Sequence, residues 1–138
     1  MYENPGTYIK SILGSFPSLN MSVSNSIQNL RVLKQWGSIQ WENLESAFYS
    51  CINLIDESTD IPDLSKTKSL RGMFYSAKSF DGNLSGWDVS KIIDMQSMFT
   101  LASSFKGNGL ETWDVDSLTN AYGMFHIAEL FNANIENW

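Results

Sequence analysis

The stretch that decides the fold is Trp87-Asp88-Val89-Ser90-Lys91-Ile92-Ile93-Asp94-Met95-Gln96-Ser97-Met98-Phe99, continued through Ala102 and Phe105 to Leu110 and Trp113. Its parts recur along the chain. Met73-Phe74, Met98-Phe99 and Met124-Phe125 stand 25 and then 26 residues apart. Each Phe is followed six positions later by another, at Phe80, Phe105 and Phe131. Trp87, Trp113 and Trp138 recur at spacings of 26 and 25, and Asp88 and Asp114 each follow a Trp, with Asp63 at the same phase behind Pro62. Three units follow, at 63–87, 88–113 and 114–138, the second one residue longer within Lys106–Thr112.

An earlier, degenerate unit covers 37–62. There Ala47-Phe48 takes the Met-Phe position and Leu54 the second Phe position. Leu44 matches Leu70, Met95 and Ala121; Cys51 matches Ala77, Ala102 and Ala128; Trp36 keeps the phase of Trp87 and Trp113. A fixed period near 25 with recurrent apolar positions is the signature of stacked units, none of which can bury its apolar face alone. Stacking turns each recurrent position into a ladder. Phe48, Phe74, Phe99 and Phe125 should form one buried column, and Trp36, Trp87, Trp113 and Trp138 another.

Within a unit, Ile92, Met95, Met98 and Phe99 have the spacing of a short helix face, with Ser65, Ser90 and Asp116 as N-caps. Leu84-Ser85-Gly86-Trp87 is too short and Gly-rich for a helix and is read as a short strand stacked parallel on its copies. The predicted fold is therefore α/β: a short right-handed solenoid of about four coils, made of short parallel strands and short helical turns. Residues 1–36 form an N-terminal β-hairpin cap in this reading, since Leu19–Val23 alternates cleanly and an end coil needs covering.

Composition narrows the function classes. Across 138 residues, 15 Asp+Glu outnumber nine Lys+Arg, for a formal charge of −6. Phosphate binding needs clustered Lys and Arg, so a nucleic-acid partner is not expected. No apolar run reaches the roughly 18 residues of a membrane span. Met1 to Pro5 lack the basic and apolar regions of a signal peptide. A single cysteine, Cys51, forms no internal disulfide.

Several residue rows invite a chemical reading. Asp63, Asp88 and Asp114 could line up as hard oxygen ligands for calcium; the alternative, which we adopt, is that each accepts backbone N–H bonds at the turn that follows. Asn83, Asn108 and Asn134 each follow a Phe by three and are read as an asparagine ladder serving loop backbone groups. The Trp row could stack sugars but shares its phase with the buried ladders. His126 has no partner His or Cys, and Cys51 replaces a core Ala, so no catalytic set and no metal or other cofactor is expected. An enzyme is not the reading.

With these residues in hand, the chain resembles the BspA-like leucine-rich-repeat surface proteins, and more closely their roughly 25-residue variant of the mycoplasma-lipoprotein type. The resemblance rests on Trp87-Asp88-Val89-Ser90, Met95, Met98-Phe99, Ala102, Phe105, Leu110 and Trp113 and covers about residues 30–138. Pro5-Gly6-Thr7-Tyr8-Ile9-Lys10-Ser11-Ile12-Leu13-Gly14 is similar to the last strand of the PKD-like domain that precedes the repeats in longer members. The resemblance implies a leucine-rich-repeat-like solenoid on an extracellular or cell-surface protein, and it implies no catalytic residues. The expected function is a non-catalytic binding or adhesion module of a bacterial surface or secreted protein. Its partner would be a protein or glycan met through Ser85, Gly86, Glu111, Thr112, Glu136 and Asn137. The alternative is a structural spacer or assembly component, such as an appendage or virion piece, with no soluble ligand. Phe125, Leu130, Phe131, Ile135 and Trp138 in the last unit lead to the expectation of a weak two-fold homodimer through that face.

Overall fold

The computed structural model describes residues 18–20 and 29–138. The expected hairpin cap therefore falls largely outside the described residues. What is seen of it is Ser18, in a parallel bridge with Asn43, and the N–H of Leu19, which donates to the Asn43 carbonyl at 3.2 Å. The end of that segment carries the first strand, β1 (Val32–Leu33), which pairs in parallel with β2 (Ile55–Asp56), Val32 opposite Ile55 and Leu33 opposite Asp56.

The repeat units lie side by side, joined by backbone hydrogen bonds between equivalent positions. Phe48 N–H donates to the Met73 carbonyl at 2.8 Å, Phe74 N–H to Met98 at 2.9 Å, and Phe99 N–H to Met124 at 2.9 Å. Flanking columns run Ser46 to Arg71, Gly72 to Gln96 and Ser97 to Tyr122, and Ser50 to Tyr75, Ser76 to Thr100 and Leu101 to His126. The Met-Phe segment, expected to be a short helix, is thus the segment that bonds to its neighbour.

Its local form explains why. Among the described residues there is no α-helix, and a 3₁₀ turn spans Leu110–Thr112. The segment is instead a chain of tight turns. Ala47 N–H donates to Leu44, Tyr49 N–H to Ser46 and Cys51 N–H to Phe48. Ser46, Ser50, Ser76, Ser97, Leu101 and Ile127 all have φ between 55° and 61°. A left-handed residue every fourth position breaks the i to i−4 ladder and turns alternate peptides outward, where only a neighbouring unit can satisfy them. The apolar spacing of 92, 95, 98 and 99 arises from this turn chain and not from a helix face.

The tryptophan-proximal segment also differs from expectation. Leu84–Trp87 is a turn rather than a strand: Trp87 N–H bonds back to Leu84, and Leu84 N–H makes a single bond outward to Asn108. Gly86, with φ 82°, provides the left-handed residue that this turn requires.

The columns fill the interior. Phe74, Phe80, Phe99, Phe105, Met73, Met95 and Met98 are fully buried. The first Phe column has centroid spacings of 5.4, 5.6 and 5.9 Å from Phe48 through Phe125, with planes within 11° of parallel. Trp87 stacks on Trp113 at 6.4 Å and Trp113 on Trp138 at 6.0 Å. Trp36 departs from its column: it meets Trp87 edge-on, at 5.2 Å and 90°. It is buried beside Trp41, and the indole N–H of each lacks a partner among the described residues.

Candidate binding face

The polar ladders are built largely by short side chains that accept the N–H two residues ahead. Asp63, Asp88 and Asp114 accept the backbone N–H of Ser65, Ser90 and Asp116 at 3.0, 3.2 and 3.1 Å. The residues read as N-caps are therefore the donors, and the acceptors are the aspartates two positions before them. The carboxyls of Asp63 and Asp88 are held below the usual carboxylate range, first by the side-chain bonds of Ser65 and Ser90. Asn83 and Asn134 accept from Ser85 and Glu136 in the same way, at 3.0 Å each.

A further ladder escaped the sequence reading. Asn43, Ser69, Asp94 and Asn120 each accept from the N–H two residues on, at Glu45, Arg71, Gln96 and Tyr122. They also form parallel bridges, Ser69 with Asp94 and Asp94 with Asn120. Their common place, one residue before the apolar ladder of Leu44, Leu70, Met95 and Ala121, was the available signal. These rows satisfy backbone donors at turns. Among the described residues, no three His, Cys, Asp or Glu side chains gather as metal ligands.

The indole nitrogens of Trp113 and Trp138 are also committed to the frame. Trp113 Nε1–H donates to the Leu84 carbonyl at 3.0 Å and Trp138 Nε1–H to that of Leu110 at 3.2 Å. Trp87 and Trp113 are 5% and 6% exposed, which leaves no open ring face for a sugar. Cys51 is fully buried, and burial pushes its thiol up to about 12. His126 is exposed, on the unit's edge.

The six residues read as a contact face, Ser85, Gly86, Glu111, Thr112, Glu136 and Asn137, are all exposed. Ser85 and Glu111 are brought together: both line an open depression of about 410 Å³, walled also by Asn83, Lys106 and Asn108. Gly86, Thr112, Glu136 and Asn137 lie outside it. The depression sits where the 88–113 unit carries its extra residue. Gly107 and Gly109 adopt φ 91° and 93°, letting the loop fold tightly against the preceding unit before Leu110–Thr112 turns. A Cβ at Gly109 would lie 2.1 Å from the Ser85 nitrogen.

Hydrogen bonding then orients the rim. Glu111 Oε2 accepts the Gly109 N–H at 3.1 Å, and Thr112 Oγ1 donates to the Gly109 carbonyl at 2.7 Å. Lys106 pairs with Asp81 of the preceding unit. The result is a polar, open recess with hydroxyl, amide and carboxylate groups, which suits hydrogen bonding to a polar ligand and offers no activated nucleophile. Asn83 and Asn108 belong to the asparagine row already read from phase; Lys106, Gly107, Gly109, Asn132 and Ala133 are the members that phase did not point to, and for Lys106, Gly107 and Gly109 the one-residue insertion in Lys106–Thr112 was the sign.

A family model described as "Mycoplasma protein of unknown function, DUF285" matches residues 20–138. No curated protein and no solved structure matches the chain.

Proposed function

Because the chain belongs to the family described as Mycoplasma protein of unknown function, DUF285, we propose, from its own residues, that it is a non-catalytic binding module. In this reading the units form a short right-handed solenoid of leucine-rich-repeat type. Its exposed face belongs to an extracellular or cell-surface bacterial protein and meets a protein or glycan.

The observation that carries the reading is the recess between Ser85 and Glu111. Its walls are polar and open, with Glu111 and Asn83 oriented by backbone N–H groups and Lys106 by Asp81. Pre-oriented polar groups on a stacked frame suit recognition, because little side-chain entropy is lost on contact. A frame built from turns that bond to one another also holds such groups in place without a cofactor.

The test is a binding screen of the full chain against a glycan array and a panel of cell-surface proteins, followed by Glu111→Lys and Asn108→Trp variants. The expected outcome is a ligand whose binding is lost in both variants while their melting temperatures stay near the parent's. Absence of any ligand in either panel would favour a structural spacer instead. Binding that ignores both substitutions would move the contact away from this recess.

A further inference from the structure

The column Phe48, Phe74, Phe99 and Phe125 is followed, one residue on, by Tyr49, Tyr75, Thr100 and His126. The first two of these stack. Their rings have centroids 4.5 Å apart and planes 5° from parallel. The pair differs from the interior columns in two ways. Both tyrosines are only half-buried, so solvent reaches them. The stack also stops after two units, because Thr100 has no ring and donates its hydroxyl to the Gly123 carbonyl at 2.7 Å.

The two hydroxyls lie on the same side of the stack. Burial first, and then the neighbouring Tyr75 hydroxyl, hold the Tyr49 phenol above its ordinary pKa. Parallel rings with neighbouring hydroxyls also bring together the ring carbons next to those hydroxyls. Backbone bonds fix the separation. Phe48 N–H donates to Met73 at 2.8 Å and Ser50 N–H to Tyr75 at 2.7 Å, so the chain is tied to the next unit on both sides of Tyr49. Phe74 and Ser76 hold Tyr75 in the same way, at 2.9 and 2.7 Å. The side chains can tilt and slip about their own bonds, but their backbones cannot part.

Paired phenols have a specific chemistry. A phenol that gives up one electron and one proton becomes a radical, shared between its oxygen and the ortho and para ring carbons. In tyrosine the para carbon carries the side chain, so an ortho carbon is free to bond. When both phenols are oxidised, two ortho carbons join. The hydrogen on each then moves to its oxygen, which restores both aromatic rings. Two electrons leave for two equivalents of a one-electron oxidant, and two protons leave for water. The product is two hydrogen atoms lighter.

Proximity decides which tyrosines couple. In a solution of about 10 μM chain, separate molecules meet at that concentration, whereas groups held side by side react as if at about millimolar concentration or above, a preference of about a hundredfold. Tyr122, 79% exposed, is open to an oxidant but stacks on no ring among the described residues.

We propose that Tyr49 and Tyr75 form an oxidative cross-linking site, where a one-electron oxidant joins the two rings through their ortho carbons and ties the 37–62 unit covalently to the 63–87 unit.

The test exposes the full chain, at low micromolar concentration, to light-activated ruthenium tris-bipyridine with persulfate, which removes one electron at a time. Free tyrosine in a parallel tube confirms that the oxidant works. Trypsin then places Tyr49 in the peptide 35–66 and Tyr75 in 72–78. The expected result is a joined 35–66 and 72–78 peptide, two hydrogens lighter than its parts, recovered from monomeric chain. Tyr49→Phe and Tyr75→Phe keep a ring at each position and should each lower the dityrosine emission of the monomer by about tenfold or more. Tyr122→Phe should leave that emission unchanged. Emission that survives in both Phe variants would overturn the proposal. So would no joined peptide while free tyrosine couples, or a joined peptide found only in covalent dimers. An equal yield from chain unfolded in urea would overturn it as well, since the coupling would then owe nothing to the stack.

Discussion

The rings of Phe99 and Phe105, six residues apart in one unit, lie face to face with centroids 4.0 Å apart and planes 11° from parallel. The same pairing recurs at Phe74 with Phe80, 3.9 Å, and at Phe125 with Phe131, 4.0 Å. Phe99 and Phe105 therefore each have a partner within their unit and others in the units on either side. The two Phe columns are one interlocked stack.

Phe99→Ala removes a ring at the centre of that stack. Its neighbours cannot close the gap, because each is held by a backbone hydrogen bond at its own position. The expected loss is about 3–5 kcal/mol, read from urea unfolding. A midpoint equal to the parent's would show that the columns do not hold the units together.

Gly109→Ala should destabilise by about 1–3 kcal/mol. The new Cβ meets backbone, the Ser85 nitrogen at 2.1 Å, at a residue whose φ is 93°. The recess between Ser85 and Glu111 should change shape as well. Thermal melting checks the first effect. A Gly109→Ala chain as stable as the parent would mean that the loop carrying the extra residue is not packed as described.

Calcium should leave stability unchanged. Asp63, Asp88 and Asp114 each already accept the N–H two residues on. Melting in EDTA and in millimolar calcium should coincide. A shift of several degrees between the two would assign the aspartates to a metal after all.

Cys51 makes stability fall at alkaline pH. Its thiol is raised from 9.0 to about 12 by burial. The unfolded chain gives up the proton first, so unfolding gains ground as pH rises above about 9 and continues to do so until about 12. Below 9 the thiol is protonated in both states and contributes no pH dependence. Cys51→Ala should flatten this part of the stability profile. An identical slope in the variant would place its origin elsewhere, and rapid labelling of the native thiol at pH 8 would contradict its burial.

Most of the interior was legible from period alone. Phe74, Phe99, Trp87, Trp113, Leu84 and Leu110 recur at one phase each, and all are buried. A repeated position must meet its own copies whatever the local backbone does, so the ladders follow without knowledge of helix or strand. The role of Asp63, Asp88 and Asp114 was equally readable, because a side chain that bonds two residues ahead needs only its own turn.

The backbone was not legible in this way. Apolar spacing at Ile92, Met95, Met98 and Phe99 fits a helix face, and a chain of tight turns with left-handed Ser97 and Leu101 produces the same spacing. Nothing local favours φ near 60° at a serine or a leucine. That conformation is held by bonds such as Ser97 N–H to Tyr122 and Leu101 N–H to His126, which exist only once the neighbouring unit is in place. The direction of the hydrogen-bond columns follows from the same turned peptides. The sequence alone determined which side chains stack. The tertiary structure alone decided which way the peptides between them point, because a peptide's orientation is set by the partner across the gap and not by the residues on either side of it.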